Sequence, residues 1–386
     1  MSRSLRRFII HKTIAMKRSL FFTPLFLLTL SFFGQEKKWM LAPFVKQDNA
    51  NPCLLPSGAI FYDSIRKRNV AWKEKDVFNP AAVVRNGKVY LLYRAQDKIG
   101  KPAGTSRIGL AYSSDGLHFT KMKTPVLFPS NDAFKKYEWE GGCEDPRIVE
   151  DDKGTYFMTY TAYDGTTARL FIATSTDLVK WTKHGSVFKK VNGGRYVDYW
   201  SKSGSIICER HGDKMIAKRM DGKYWMFWGE SNIYMATSEN LIDWTPIEET
   251  DPARKQFDSL RNYEAFKILF SPRDGKFDSE LVEPGPPAMV TEDGIVFIYN
   301  SKNSPDHGDK SLRDGEYAAG QILCDKDNPS KVIDRSEENF FHPDKAYEIT
   351  GQVNNVCFLE GLVYFKNKWF LYYGTADSKI AVAVKK

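Results

Sequence analysis

Apolar and polar residues alternate along this chain in short runs that recur at a fixed distance. A glycine followed by an aromatic-rich alternating segment appears as "GKVYLLY" from Gly87, "GTYFMTY" from Gly154, "GKYWMFW" from Gly222 and "GIVFIY" from Gly294, with "NKWFLYY" from Asn367 as a fifth copy. The copies lie about 70 residues apart, the spacing of a repeat architecture. A second alternating segment follows the first three copies and, more weakly, the last: "RIGLAYSSDGLHF", "RLFIATSTDLVKW", "NIYMATSENLIDW" and "SKIAVAVKK". Runs of five to seven residues rich in Tyr, Phe, Trp and Val, bounded by Gly and Asp, predict strands. Helical periodicity longer than two turns is hard to find after residue 40. Each unit has the length of a four-stranded antiparallel sheet, and five such units set radially predict an all-β, five-bladed β-propeller. The long period disfavours a β-sandwich or a β-helix.

The N-terminus departs from this pattern. "LFFTPLFLLTLSFF", Leu20 to Phe33, is continuously apolar, follows Lys17 and Arg18, and ends at Gly34 before "QEKK". That order predicts a signal peptide over residues 1–34, and the run is too short for a firm membrane span. The expectation is therefore a single domain over 35–386, exported to the periplasm or the cell exterior, with no stable membrane insertion once the signal is removed.

Composition sharpens the picture only in places. Of 386 residues, 42% are hydrophobic and 14% aromatic, ample material for a buried core. The formal charge of +8 owes much to the first eighteen residues, and elsewhere both signs are interspersed, which argues against a nucleic-acid partner. Five widely spaced cysteines form no CxxC pair, and His184, His211, His307 and His342 are isolated, so neither a metal nor a cofactor is expected.

In a radial fold, residues at the same place in each repeat pool at one mouth. The positions just past the repeated strands hold Arg94 and Asp97, Asp164, Glu230, Asn300 and Lys302, and Asp377. One further stretch stands out. "EGGCEDPRIVEDD", Glu140 to Asp152, sets Glu144, Asp145 and Arg147 side by side, with Pro146 fixing the chain and two glycines allowing close approach of backbone to a ligand.

"CEDPRI", together with "FNPAAVVRNGKVYLLYRAQD" upstream, "TYTAYDG", "LFIATSTDLVKW" and "PGPPAMVTEDGIVFIY" downstream and "YYGTAD" near the end, resembles glycoside hydrolase family 130. That family comprises β-mannoside phosphorylases and β-mannosidases on a five-bladed propeller. The resemblance runs from about Phe78 to Val384 with its motifs in order. It implies Asp145 as general acid, protonating the glycosidic oxygen through the 3-hydroxyl of the mannosyl ring. It also implies that Asn79, Arg94 and Asp377 bind the sugar, that Glu144 contributes to ring positioning, and that Arg147 orients the acid or binds sugar hydroxyls; Asp97, from its repeat position, and Tyr299 are further candidate substrate ligands.

The attacking group is the open choice. An inverting glycosidase needs an acid, a second carboxylate and room between them for water. A phosphorylase must hold a dianion with clustered cations. Where phosphorylases resembling this chain carry histidines, it has "MFWGES" and "FIYNSKNS", so Glu230 appears, and Glu283 in "ELVEPGPP" adds a second acid. The expectation is an exported, inverting hydrolase releasing mannose from the non-reducing end of β-mannosides, with β-1,2 linkage implied by resemblance to exported members. Glu230 or Glu283 would be its base. A phosphorylase using Lys202 and Arg169 as anion ligands is the alternative, and a carbohydrate-binding propeller without catalysis is a further one. The aromatics Tyr160, Tyr163, Trp200 and Trp228 are candidate sugar platforms.

Overall fold

A computed structural model describes residues 37–254 and 266–385, all within one compact unit, Lys37–Lys386. The apolar segment Leu20–Phe33, and with it the expected signal peptide, lies outside the described residues.

The described chain is all-β, with only two four-residue α-helices, Lys135–Glu138 and Ala346–Ile349. Strand pairing follows the sequence repeats. In the first repeat, Asp76–Arg85, Lys88–Gln96, Ser106–Ser113 and Thr120–Lys121 pair antiparallel in chain order. The second repeats this with Gly142–Glu150, Tyr156–Tyr163, Ala168–Ser175 and Thr182–Ser186. The third is built on Gly204–Ile206, Lys223–Trp228, Ile233–Ser238 and Trp244–Pro246. In the fourth, Ile295–Lys302 pairs with Leu281–Pro284 on one side and Tyr317–Cys324 on the other, and Val332–Arg335 completes it. The fifth array joins the two ends of the chain: Cys357–Phe365, Lys368–Thr375 and Lys379–Lys385 are completed by Val45–Lys46.

Alternation along each strand sends apolar residues to both faces, so every array packs on two neighbours. The buried side chains separate into five clusters. They join the first array to the second through Ile108 and Phe171, the second to the third through Leu170 and Trp228, and the third to the fourth through Phe227 and Phe297. The fourth meets the fifth through Ile298 and Leu371, and the fifth meets the first through Tyr372 and Tyr93. The order of packing thus closes on itself. Cys53, Cys143, Cys208, Cys324 and Cys357 are all unpaired thiols.

Candidate active site

A local device repeats at the head of the first strand of the arrays: a polar residue followed by Pro or Gly. These pairs are Asn79-Pro80, Asp145-Pro146, Ser203-Gly204, Glu283-Pro284 and Glu360-Gly361. In the first, second and fifth arrays the strand register shifts at this point, leaving Asn79, Asp145 and Glu360 outside the regular ladder. Such a bulge re-aims the extra residue. Asn79, Asp145 and Ser203 also have left-handed backbone, with φ of 48°, 46° and 52°. Strain of this kind persists only where the surrounding fold enforces it.

Asp145 is 1% exposed and stands at the centre of the resulting cluster. Its Oδ1 accepts hydrogen bonds from Asn79 Nδ2 at 2.9 Å and from Arg94 Nη1 at 3.1 Å. Arg94 also donates to Glu144 at 2.6 Å and to Ser106 at 3.0 Å, and its guanidinium lies 4.7 Å from the Phe78 ring centroid. Opposite Arg94, Lys202 Nζ lies among three carboxylates, 3.7 Å from Asp145, 3.6 Å from Glu230 and 3.5 Å from Glu283. Trp200 donates to Glu230 at 2.8 Å, and the Ser203 hydroxyl donates to Glu283. Beneath them the buried Arg147 donates to the carbonyls of Asp145, Pro284 and Gly285 and pairs with Glu360 at 2.9 Å.

The electrostatics divide these acids. Burial works to raise the pKa of Asp145, but Arg94, Lys202, the Asn79 amide and Arg147 outweigh it and hold the carboxyl well below the usual range. A general acid must carry a proton near neutral pH, and the charges around Asp145 instead favour its ionised form. Burial, offset by Arg94 and Lys202, pushes Asp377 up to about 6. Burial also raises Glu144 against the pull of Arg94, and Glu283 against that of Lys202. Lys202 is held well above its ordinary value, because Glu283, Glu230, Asp145 and Glu144 overcome its own burial.

Several expected ligands lie elsewhere. Asp97 is buried, accepts from the backbone N–H groups of Ile99, Gly100 and Thr105, and pairs with Arg107 at 2.8 Å. It staples a loop and has no free oxygen for a sugar. Tyr299 is buried between Phe270 and Phe277, and its hydroxyl donates to Asp278. It precedes Asn300 on a strand, so it faces away from Asn300 and into the core. Arg169 is neutralised by Asp164 at 2.7 Å and Asp198 at 2.9 Å. Among the aromatics, Trp228 is core and the buried Tyr160 donates to Glu138, whereas Trp200 and Tyr163 stay partly exposed beside site acids. Sequence reading passed over Ser106, Ser203, Glu360 and Tyr317, whose phenol feels Glu283 and Lys202. The polar-residue-then-Pro/Gly pattern was the available signal for Ser203 and Glu360.

A family model described as β-1,4-mannooligosaccharide phosphorylase, of glycoside hydrolase family 130, matches residues 44–386. Among curated proteins, a 1,2-β-oligomannan phosphorylase of Thermoanaerobacter sp. (strain X514) is 31% identical over 322 residues, covering 81% of this chain and 90% of its own. A β-1,2-mannobiose phosphorylase of the same strain is 30% identical over 326 residues, covering 81% and 91%. A solved structure described as "The GH130 family of mannoside phosphorylases contains glycoside hydrolases that target beta-1,2 mannosidic linkages in Candida mannan" is 47% identical. It has a TM-score of 0.86 and covers 91% of this chain and 95% of its own. The curated phosphorylases overturn the expectation that water is the nucleophile. That expectation rested on Glu230 and Glu283 as free acids, and both are instead engaged, each with Lys202 and with a side-chain donor.

Proposed function

Since the chain belongs to glycoside hydrolase family 130, whose members act on β-mannosides, we propose that it cleaves the non-reducing-end β-mannosidic bond by phosphorolysis. The observation that carries this reading is the identity, sustained over four-fifths of the chain, with two curated phosphorylases of β-1,2-mannosides. Phosphate attacks the anomeric carbon while the glycosidic C–O bond breaks. The leaving oxygen takes a proton that originates on Asp145 and passes through the 3-hydroxyl of the sugar. The products are α-mannose 1-phosphate and the shortened oligosaccharide.

Lys202 is the cation this reading assigns to the phosphate. A dianion beside it offsets the positive charge that holds Asp145 ionised, so phosphate binding itself promotes protonation of the acid. Asn79, Arg94, Glu144 and Asp377 would meet the sugar hydroxyls. The closed order of five core clusters supports reading the five arrays as blades of a propeller with this cluster at one mouth of its axis.

The test is incubation with β-1,2- and β-1,4-mannobiose, with and without phosphate, followed by NMR of the products. Phosphate-dependent formation of α-mannose 1-phosphate is the expected result. Release of mannose at the same rate without phosphate would overturn the reading.

A further inference from the structure

Glu360 is the last of the five polar residues followed by Pro or Gly and, with Asn79 and Asp145, one of the three that sit on a bulge, and neither the resemblance nor the relatives give it a role. It is 0% exposed. Its strand is pressed against the first array so closely that a Cβ on Gly361 would fall 2.7 Å from the Pro80 carbonyl oxygen. Glu360 therefore cannot swing out to water. Its Oε1 lies 2.9 Å from Arg147 Nη2, yet neither carboxyl oxygen receives a hydrogen bond, because the guanidinium is aimed at the carbonyls of Asp145, Pro284 and Gly285.

We propose that Glu360 is a positioning residue that carries a proton in the resting site and leaves Arg147 aimed at the backbone of the Asp145 bulge and of Pro284 and Gly285 beside Glu283, so that its ionisation at alkaline pH disarms the site.

Among the described residues, the charged groups acting most strongly on Glu360 come from three arrays. Arg147 and Asp145 come from the second array, Glu283 from the fourth, and Lys202 from the segment leading into the third. Around it the cluster sets three cations, Arg94, Arg147 and Lys202, against Glu144, Asp145, Glu230, Glu283, Asp377 and Glu360 itself. The acids outnumber the cations, so protons must stay on some of them. A buried carboxylate without donors is the most expensive one to ionise. Burial, with Asp145 and Glu283 adding repulsion, accordingly drives the Glu360 carboxyl well above its ordinary range despite Arg147. A glutamate that ionised would draw the Arg147 N–H groups off the carbonyls. Arg147 holds the backbone of Asp145 and the end of the Leu281–Pro284 strand together, so both sides of the reaction centre would shift.

The proposal rests on the β-mannoside-cleaving reading, and its test separates the two. Glu360→Gln keeps the volume and neutrality and cannot ionise. Its turnover at pH 6 should stay within about 3-fold of wild type, and it should retain activity at pH 8.5, where wild type falls by about 10-fold or more. Infrared difference spectra of wild type against Glu360→Gln at pH 6 should contain the carbonyl stretch of a protonated carboxylic acid, whichever nucleophile the enzyme uses. An unchanged alkaline limb, or a tenfold loss at every pH, would overturn the proposal. So would the absence of any protonated-carboxyl band in wild type at pH 6, a measurement that stands even if the variant fails to fold.

Discussion

Replacing Lys202 by methionine tests whether one cation organises the site. The substitution keeps an unbranched side chain one atom shorter and removes a charge lying 3.5 to 3.7 Å from three carboxylates. At an effective dielectric of about 20, each such contact amounts to roughly 4 kcal/mol when both groups are charged. Breaking a buried ion pair costs about 3–5 kcal/mol, and the partial exposure of Lys202 reduces this to about 2–3 kcal/mol. The loss should depend on pH, and the sign follows from the protons. Burial already raises the Glu283 carboxyl, and without the pull of Lys202 the native state holds that proton more tightly still than the unfolded chain does, so the variant's stability falls as pH rises. Urea unfolding followed by tryptophan fluorescence should therefore show the full deficit at pH 8 and much less at pH 5. In the same variant the KM for phosphate should rise at least about tenfold, the loss of one charge-assisted contact. An equal deficit at both pH values would refute the electrostatic reasoning. An unchanged phosphate KM would show that phosphate does not meet Lys202.

Two further predictions concern the acids on either side of Arg94. Asp145→Asn leaves Arg94 paired with Glu144 and Lys202 paired with Glu230 and Glu283, so the thermal midpoint should hardly move while turnover falls by about 10²-fold or more; near-normal turnover in steady-state assays would remove Asp145 as the acid. Asp377 is raised to about 6 in the folded state, so the stability tied to its proton is lost between about pH 4 and pH 6 as pH rises. Calorimetry of Asp377→Asn should show a flatter dependence over that window, and an identical profile would count against the assignment.

Much of the site was legible because its chemistry is written at repeat positions. The "EDPR" stretch and the strand ends lead to Arg94, Asp145, Glu230 and Asp377, because a short strand allows little freedom in where its end points, while Asn79 and Glu283 come only through the family resemblance. Asp97 misled for a physical reason: three residues past Arg94 the chain has left the strand, and a carboxylate there is consumed by turn N–H groups. Tyr299 misled because a shift of one residue changes the face, and its aromatic ring belongs to the core on the far side. Glu360 was hidden in an apolar context, "CFLEGLVYF", where a lone acid between Leu359 and Gly361 carries no motif. The charge state of Asp145 was not legible at all, since it depends on how close Lys202 comes from a segment more than fifty residues away.

The sheet that unites Val45–Lys46 with Lys379–Lys385 has a consequence for how this protein is made. Val45 pairs with Val384 and Lys46 with Ala383, so the seam joins residues from near the two ends of the chain. During synthesis every other array can form as its strands appear, but this one waits for Lys379–Lys385, more than 300 residues after its partner strand. Contacts of such long sequence separation slow folding, and the unsealed edge of the fifth sheet stays open to other chains meanwhile. A chain stalled before residue 379 would present that edge and the uncovered apolar side chains of Tyr372 and Val363 together, which makes incomplete chains of this protein prone to aggregate.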